Sequence, residues 1–167
     1  SSTFYLGKGK LEELKQLNQV TRDIGQIQGR AIFVTGEAGL GKTRLIWEWQ
    51  RHLPAELHVW HGAAQNFPQS AYAVWQQVIL QGLNLQNAFY EEVTGVLLDR
   101  VGNKTWLPYL EILLFGKVPE EGTVRSLQPE QLKEQLFAAA RRLLQNIAKQ
   151  GPLIIVLDNL QWLDQLS

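Results

Sequence analysis

Gly36-Glu37-Ala38-Gly39-Leu40-Gly41-Lys42-Thr43 fits the pattern G-x-x-x-x-G-K-[ST] at every position. Ala31-Ile32-Phe33-Val34-Thr35 precedes it, an apolar and β-branched run that predicts a buried strand. Thr43 to Arg51 follows it as a predicted helix, with Leu45, Ile46 and Trp49 as core candidates and Pro54 beyond its end. Strand, glycine-rich loop and helix are what phosphate binding needs. Glycines let successive backbone N–H groups turn inward around phosphate oxygens, and the helix start adds unpaired N–H groups and a positive dipole end. Lys42 is placed to reach the β- and γ-phosphates, and the Thr43 hydroxyl is a candidate Mg²⁺ ligand. The competing explanation, a chance match in a glycine-rich turn, accounts for neither flanking element.

A second segment answers the first. Leu153-Ile154-Ile155-Val156-Leu157-Asp158 is an unbroken apolar run that ends in an acid. Such a run predicts a central parallel strand buried on both faces, and an acid at its C-terminal edge stands where open α/β sheets bind ligands. Many strands end in Asp. Behind an intact phosphate loop, however, strand 153–158 reads as a Walker B segment, with Asp158 helping to hold Mg²⁺ directly or through water. Asn159 stands where many ATPases place an acid that polarises the attacking water. An amide can position a water but cannot accept its proton. Slow turnover or a binding switch therefore fits as well as fast hydrolysis.

The chain of 167 residues is long enough for one sizeable core. Apolar residues make up 45% and charged residues 19%, which suits a folded protein rather than a disordered one. Sixteen basic and sixteen acidic side chains cancel, so charge gives no argument for direct nucleic-acid or membrane contact by this segment. Without cysteine there is no disulfide framework, no thiol chemistry and no Cys zinc site. No apolar run reaches membrane-spanning length and no signal-peptide core opens the chain, so a cytoplasmic setting is the expectation. The absence of any Met and the stop at Ser167, soon after the second motif, predict a segment of a longer polypeptide.

Elsewhere the patterns are mostly helical. Ser1 to Thr3 reads as a loose lead-in. Leu11, Leu14, Leu17, Thr21 and Ile24 recur at three or four residues and predict a helix over 8–26, packed on the sheet. Leu57 to Gly62 alternates like a strand, which would send His58 and His61 to opposite faces and argues against a metal pair there. Residues 63–128 predict a helical insertion, with helices over Tyr72 to Leu83, Phe89 to Val101 and Trp106 to Phe115. Its excess of acids reads as solvated surface. Pro129-Glu130 opens a strong helix with a broad apolar face from Leu132 to Ile147, closed by Lys149-Gln150-Gly151-Pro152. The six tryptophans are scattered, and packing is the expectation for them.

Both motifs, with their neighbours, resemble the AAA-like ATPase modules of bacterial signal-transduction NTPases (the STAND group). Such modules are found in LuxR-type transcriptional regulators and in multidomain adenylyl cyclases and protein kinases. Phe4-Tyr5-Leu6-Gly7-Lys8-Gly9-Lys10-Leu11-Glu12-Glu13-Leu14 is loosely similar to the lead-in F-x-G-R-E-x-E-L, with Lys8 and Gly9 as departures. Val34 to Leu45 resembles V-x-G-E-A-G-I-G-K-[ST]-R-L, including the Glu37-Ala38 pair and Arg44. Leu157 to Asp164 resembles L-D-D-L-H-W-A-D, with Asn159 and Gln161 as departures. The likeness spans nearly the whole chain, although 63–150 matches in helical character alone.

The resemblance implies an α/β fold: a three-layer P-loop NTPase sandwich of the ASCE/AAA-like kind, with a parallel central sheet, C-terminally incomplete and carrying the helical insertion. Residues 1–167 would be the N-terminal part of one such domain. It implies ATP or ADP with Mg²⁺ as cofactors, and Gln161 agrees by standing where a GTPase would show the Gly of D-x-x-G. Gly36, Glu37, Ala38, Gly39, Leu40, Gly41, Lys42, Thr43 and Arg44 would hold nucleotide. Thr43 and Asp158 would hold the metal, and Lys42, Asp158 and Asn159 would serve catalysis. Leu6 and Gly7 would lie near the adenine. A later strand would separate the Walker B strand from the phosphate-loop strand and carry a γ-phosphate sensor. Partners would be downstream domains of the same polypeptide, with a homo-oligomeric active state left open. The function implied is an ATP–Mg²⁺ switch, weakly hydrolytic, in a larger bacterial regulator. Two alternatives stand beside it: a non-catalytic interaction module stabilised by nucleotide, and a small-molecule kinase or motor using the same loop.

Overall fold

A computed structural model of the chain describes residues 3–6, 19, 22, 31–35, 48–55, 57–62 and 71–157. The elements are β1 (Thr3–Leu6), β2 (Ala31–Thr35), β3 (His58–Gly62), α1 (Ala71–Gly82), α2 (Tyr90–Val101), α3 (Leu107–Phe115), α4 (Pro129–Ala148) and β4 (Leu153–Leu157). Two 3-10 turns, Lys104–Trp106 and Thr123–Ser126, join the helices.

The strands form one parallel sheet in the order β1-β2-β4-β3. β4 is central, as its apolar run predicts, and Leu153, Ile154 and Ile155 are wholly buried with Val156 at 3% exposure. A strand covered on both faces has no position where a polar side chain would meet water, hence the missing alternation. One expectation changes. β1 is a strand where the sequence pattern suggested a lead-in to a helix. Phe4-Tyr5-Leu6 is too short for periodicity to declare it, and pairing with β2 from Thr3↔Ile32 to Leu6↔Thr35 makes it one. Among the described residues β2 and β4 are neighbours in the sheet. They pair directly over all five residues, from Ala31↔Leu153 to Thr35↔Leu157. Each strand presents a row of backbone donors and acceptors, and within these residues each satisfies the other's.

The helical face of the sheet is one continuous core. Trp60, Leu153 and Ile155 join Val74, Trp75, Val78 and Ile79 of α1, Val93, Leu97 and Val101 of α2, Leu110, Leu113 and Leu114 of α3, and the inner side of α4. Helices within 63–128 are thus amphipathic. The acids Glu91, Glu92 and Asp99 of α2, and Glu120 and Glu121 of the loop after α3, are exposed, as a solvated surface predicts, while the apolar sides of the helices belong to the main core. Each fully buried aliphatic side chain contributes about 1.5–3 kcal/mol.

Helix ends follow their residues. Gly102 (φ 68°) and Gly116 (φ 65°) close α2 and α3 in the left-handed conformation, returning N–H groups to the Leu98 and Ile112 carbonyls. Pro129 starts α4, and the Gln131 side chain accepts from the Gln128 N–H at 3.0 Å. Side-chain amides bind the helices together. Asn146 donates to the Val101 carbonyl at 2.8 Å, and Gln76 donates to the Leu113 carbonyl at 2.9 Å. At the end of α1, Gly82 abuts the indole of Trp60 with no room for a Cβ.

Candidate functional site

All four strands run the same way, and their last residues form one row. Leu6 registers with Thr35, Thr35 with Leu157, and Gly62 with Leu157. Adjacent strands lie about 4.8 Å apart. The backbone therefore leaves the sheet at neighbouring points, toward Gly36 from β2 and toward Asp158 from β4. A ligand bound beyond the C-terminal edge of an open parallel sheet meets both exits. Leu6, expected near a base, ends the strand on the other side of β2.

Among the predicted site residues, Gly36, Glu37, Ala38, Gly39, Leu40, Gly41, Lys42, Thr43, Arg44, Asp158 and Asn159 lie outside the described residues, as does Gly7. What the fold positions is the pair of strand ends that precede them. Of the predicted helix from Thr43 to Arg51, residues 48–50 are helical and Trp49 is buried at 3% exposure. Of the lead-in helix over 8–26, Gln19 and Arg22 are helical and exposed.

Gln50 fixes where the helical residues 48–50 lie. Its Nε2 donates to His61 Nε2 at 2.6 Å, which requires the ring tautomer with Nε2 unprotonated. His61 alternates with Trp60 along β3, so it projects to the face opposite the helical core. The segment containing Trp49 and Gln50 thus reaches one face of β3, and α1 packs on the other. No sequence motif marks the Gln50–His61 contact, because it joins two ordinary polar residues across a turn. His58, three residues earlier, lies on the other face and is exposed. Among the described residues no group of three His, Cys, Asp or Glu side chains could hold a metal ion. The donors expected beyond the strand ends, the Thr43 hydroxyl and the Asp158 carboxylate, are hard oxygen donors of the kind Mg²⁺ prefers.

Tyr72, on α1, stacks on Phe137 of α4 with ring centroids 5.7 Å apart, and burial pushes its phenol up from the usual tyrosine value. It belongs to the helical core rather than to the sheet edge. No helix among the described residues is long and apolar enough to cross a membrane.

A family model for the AAA ATPase domain matches residues 8–167. Neither the curated proteins nor the solved structures yield a match to the chain.

Proposed function

The chain belongs to the AAA ATPase domain family, a family of nucleotide-binding domains, and on that premise we propose that it is an ATP–Mg²⁺-binding switch module of a larger bacterial signalling or transcriptional regulator. The observation that carries this reading is the adjacency of the β2 and β4 ends. It brings the residue before Gly36 and the residue before Asp158 into one register row. Lys42 and the loop amides from Gly39 to Thr43 hold the phosphates, with Gly36, Glu37, Ala38 and Arg44 completing the nucleotide-contacting segment. Thr43 and Asp158 provide oxygen donors for Mg²⁺, which when bound neutralises charge on the phosphate oxygens. Leu6 and Gly7 border the adenine.

Asn159 orients a water without deprotonating it, so hydrolysis is slow and nucleotide occupancy sets the state of the domain. ATP and ADP act as a switch to the extent that they bind two domain arrangements with different affinity. Downstream domains of the same polypeptide read that difference, and the setting is cytoplasmic. The same Asn159 favours a second reading, in which nucleotide is retained purely as a structural element.

Calorimetric titration with ATP, ADP and GTP, with and without Mg²⁺, tests the proposal. Adenine-selective, Mg²⁺-linked binding that Lys42→Ala abolishes or greatly weakens is the expected result. Unchanged affinity in Lys42→Ala refutes the assignment of the phosphate loop. Asp158→Ala should weaken the Mg²⁺ dependence more than binding itself. Tight ADP retention with no turnover selects the structural reading.

A further inference from the structure

α2 and α3 form a helical hairpin, joined at the Gly102 end and open at the other. The open end carries aromatic surface. Phe89, immediately before α2, is 80% exposed; Phe115, the last residue of α3, is 39% exposed; Val118 is 50% exposed. Tyr90 links them. Its ring meets Phe115 edge-on at 5.2 Å, and the Lys117 ammonium stands 4.1 Å from its centroid. Single exposed apolar residues need no explanation, but three large ones gathered at one end of a hairpin form a patch.

Charge says what fits the patch. Glu91 and Glu92 flank it on α2, and Glu120 and Glu121 flank it on the loop after α3; all four are exposed. Among the described residues none of the four forms an ion pair. Lys117, the one cation in these two flanking stretches, sits over the Tyr90 ring. Glu91 and Glu92 have an ordinary role in complementing the dipole of the helix they begin. Glu120 and Glu121 precede a 3-10 turn and have no such role. A second copy of the chain would bring the same acids against its own, so like-charge repulsion disfavours self-pairing.

We propose that this end of the α2–α3 hairpin is a docking surface for a basic amphipathic protein helix, whose apolar stripe covers Phe89, Phe115 and Val118 while its Lys or Arg side chains meet Glu91, Glu92, Glu120 and Glu121. Phe89 is the anchor. An aromatic side chain held at the surface by a helix start offers large apolar area with little rotamer entropy to lose, the profile of an interface hot spot. The surface lies at the end of the hairpin opposite Val101, which Asn146 of α4 holds.

The test is fluorescence anisotropy of a dye-labelled helical peptide of about five turns built from Leu and Lys, with its Leu and Glu counterpart as control. The full chain should bind the Leu/Lys peptide, more weakly as salt rises. Phe89→Ser should lower that affinity about tenfold, and so should the joint replacement of the four glutamates by glutamine. Because Phe89 is exposed, unchanged circular dichroism is expected of the variant. Three results overturn the proposal: no binding of the Leu/Lys peptide, equal binding of the Leu/Glu peptide, or affinity indifferent to Phe89→Ser. Sedimentation showing self-association that Phe89→Ser abolishes, without peptide binding, also overturns it by assigning the patch to a second copy.

Discussion

Gly82→Ala should destabilise the protein, although alanine is the better helix former. A Cβ built on Gly82 would lie 2.6 Å from Cε3 of Trp60 and closer still to Cδ2 and Cε2. Carbon atoms prefer about 3.5–4.0 Å, so the ring must move by an ångström or more. It has little room to do so. Trp60 is 5% exposed and lies in the core among α1 and β4 side chains. Overpacking of this kind costs about 1–3 kcal/mol. The opposing gain in helix propensity is at most about 1 kcal/mol, and less at the last position of a helix. A net loss of about 1–2 kcal/mol is expected, read as a lower urea midpoint at unchanged slope. Gly95→Ala is the control, because it sits inside α2 with nothing near its missing Cβ. That substitution should stabilise by about 0.5–1 kcal/mol. Combining Gly82→Ala with Trp60→Leu should cost less than the two singly, since the second removes the ring that the first strikes. Gly82→Ala as stable as the parent, with Gly95→Ala stabilised as expected, would refute the close packing of α1 on β3.

Asn146→Ala should cost about 1–3 kcal/mol in chemical denaturation, because it strips the buried Val101 carbonyl of its donor at the end of α2. Asn159→Asp should raise ATP turnover about tenfold or more by supplying an acceptor for the water proton, with nucleotide affinity little changed. An unaltered rate would remove the water-positioning role assigned to Asn159. Tyr72 makes a pH-dependent contribution. Its raised phenol value means the folded state holds the proton more tightly than the unfolded chain, so this stability is full below about pH 10 and is lost as pH rises through the folded value. Tyr72→Phe should therefore flatten the alkaline fall in melting temperature relative to the parent.

The sequence was most readable where one periodic pattern met one environment. α4 shows this best, since Leu136, Phe137, Ala140, Leu143, Leu144 and Ile147 repeat at helical spacing and are all buried. β4 was readable for the opposite reason, having no polar residue to interrupt its burial. β1 was not, because a strand of four residues at a sheet margin owes its form to its neighbour rather than to its own pattern. Sheet order was legible only in part. An apolar run predicts a central strand, but which strands flank it depends on pairing energies that no local pattern encodes. At the candidate site, the spacing of glycines, lysine and threonine gives the expectation of phosphate binding, while the structure contributes the juxtaposition of the β2 and β4 ends. The surface around Phe89 was invisible in sequence, because it exists only once α2 and α3 lie antiparallel and Phe115 comes to rest on Tyr90.

The central place of β4 carries a kinetic consequence. β2 and β3 do not touch each other in the sheet, and each gains its shared partner from a segment far along the chain, as in Phe33↔Ile155 and Trp60↔Ile155. Loop-closure entropy must be met before either pairing returns any energy, so topology of this kind folds slowly. During synthesis α1 to α4 can collapse locally around Leu97, Leu110 and Leu143, while the edges of β2 and β3 wait open for Leu153 to Leu157. A nascent chain arrested between α4 and β4 would hold a formed helical layer and an unassembled sheet, the stage at which a chaperone has most to protect.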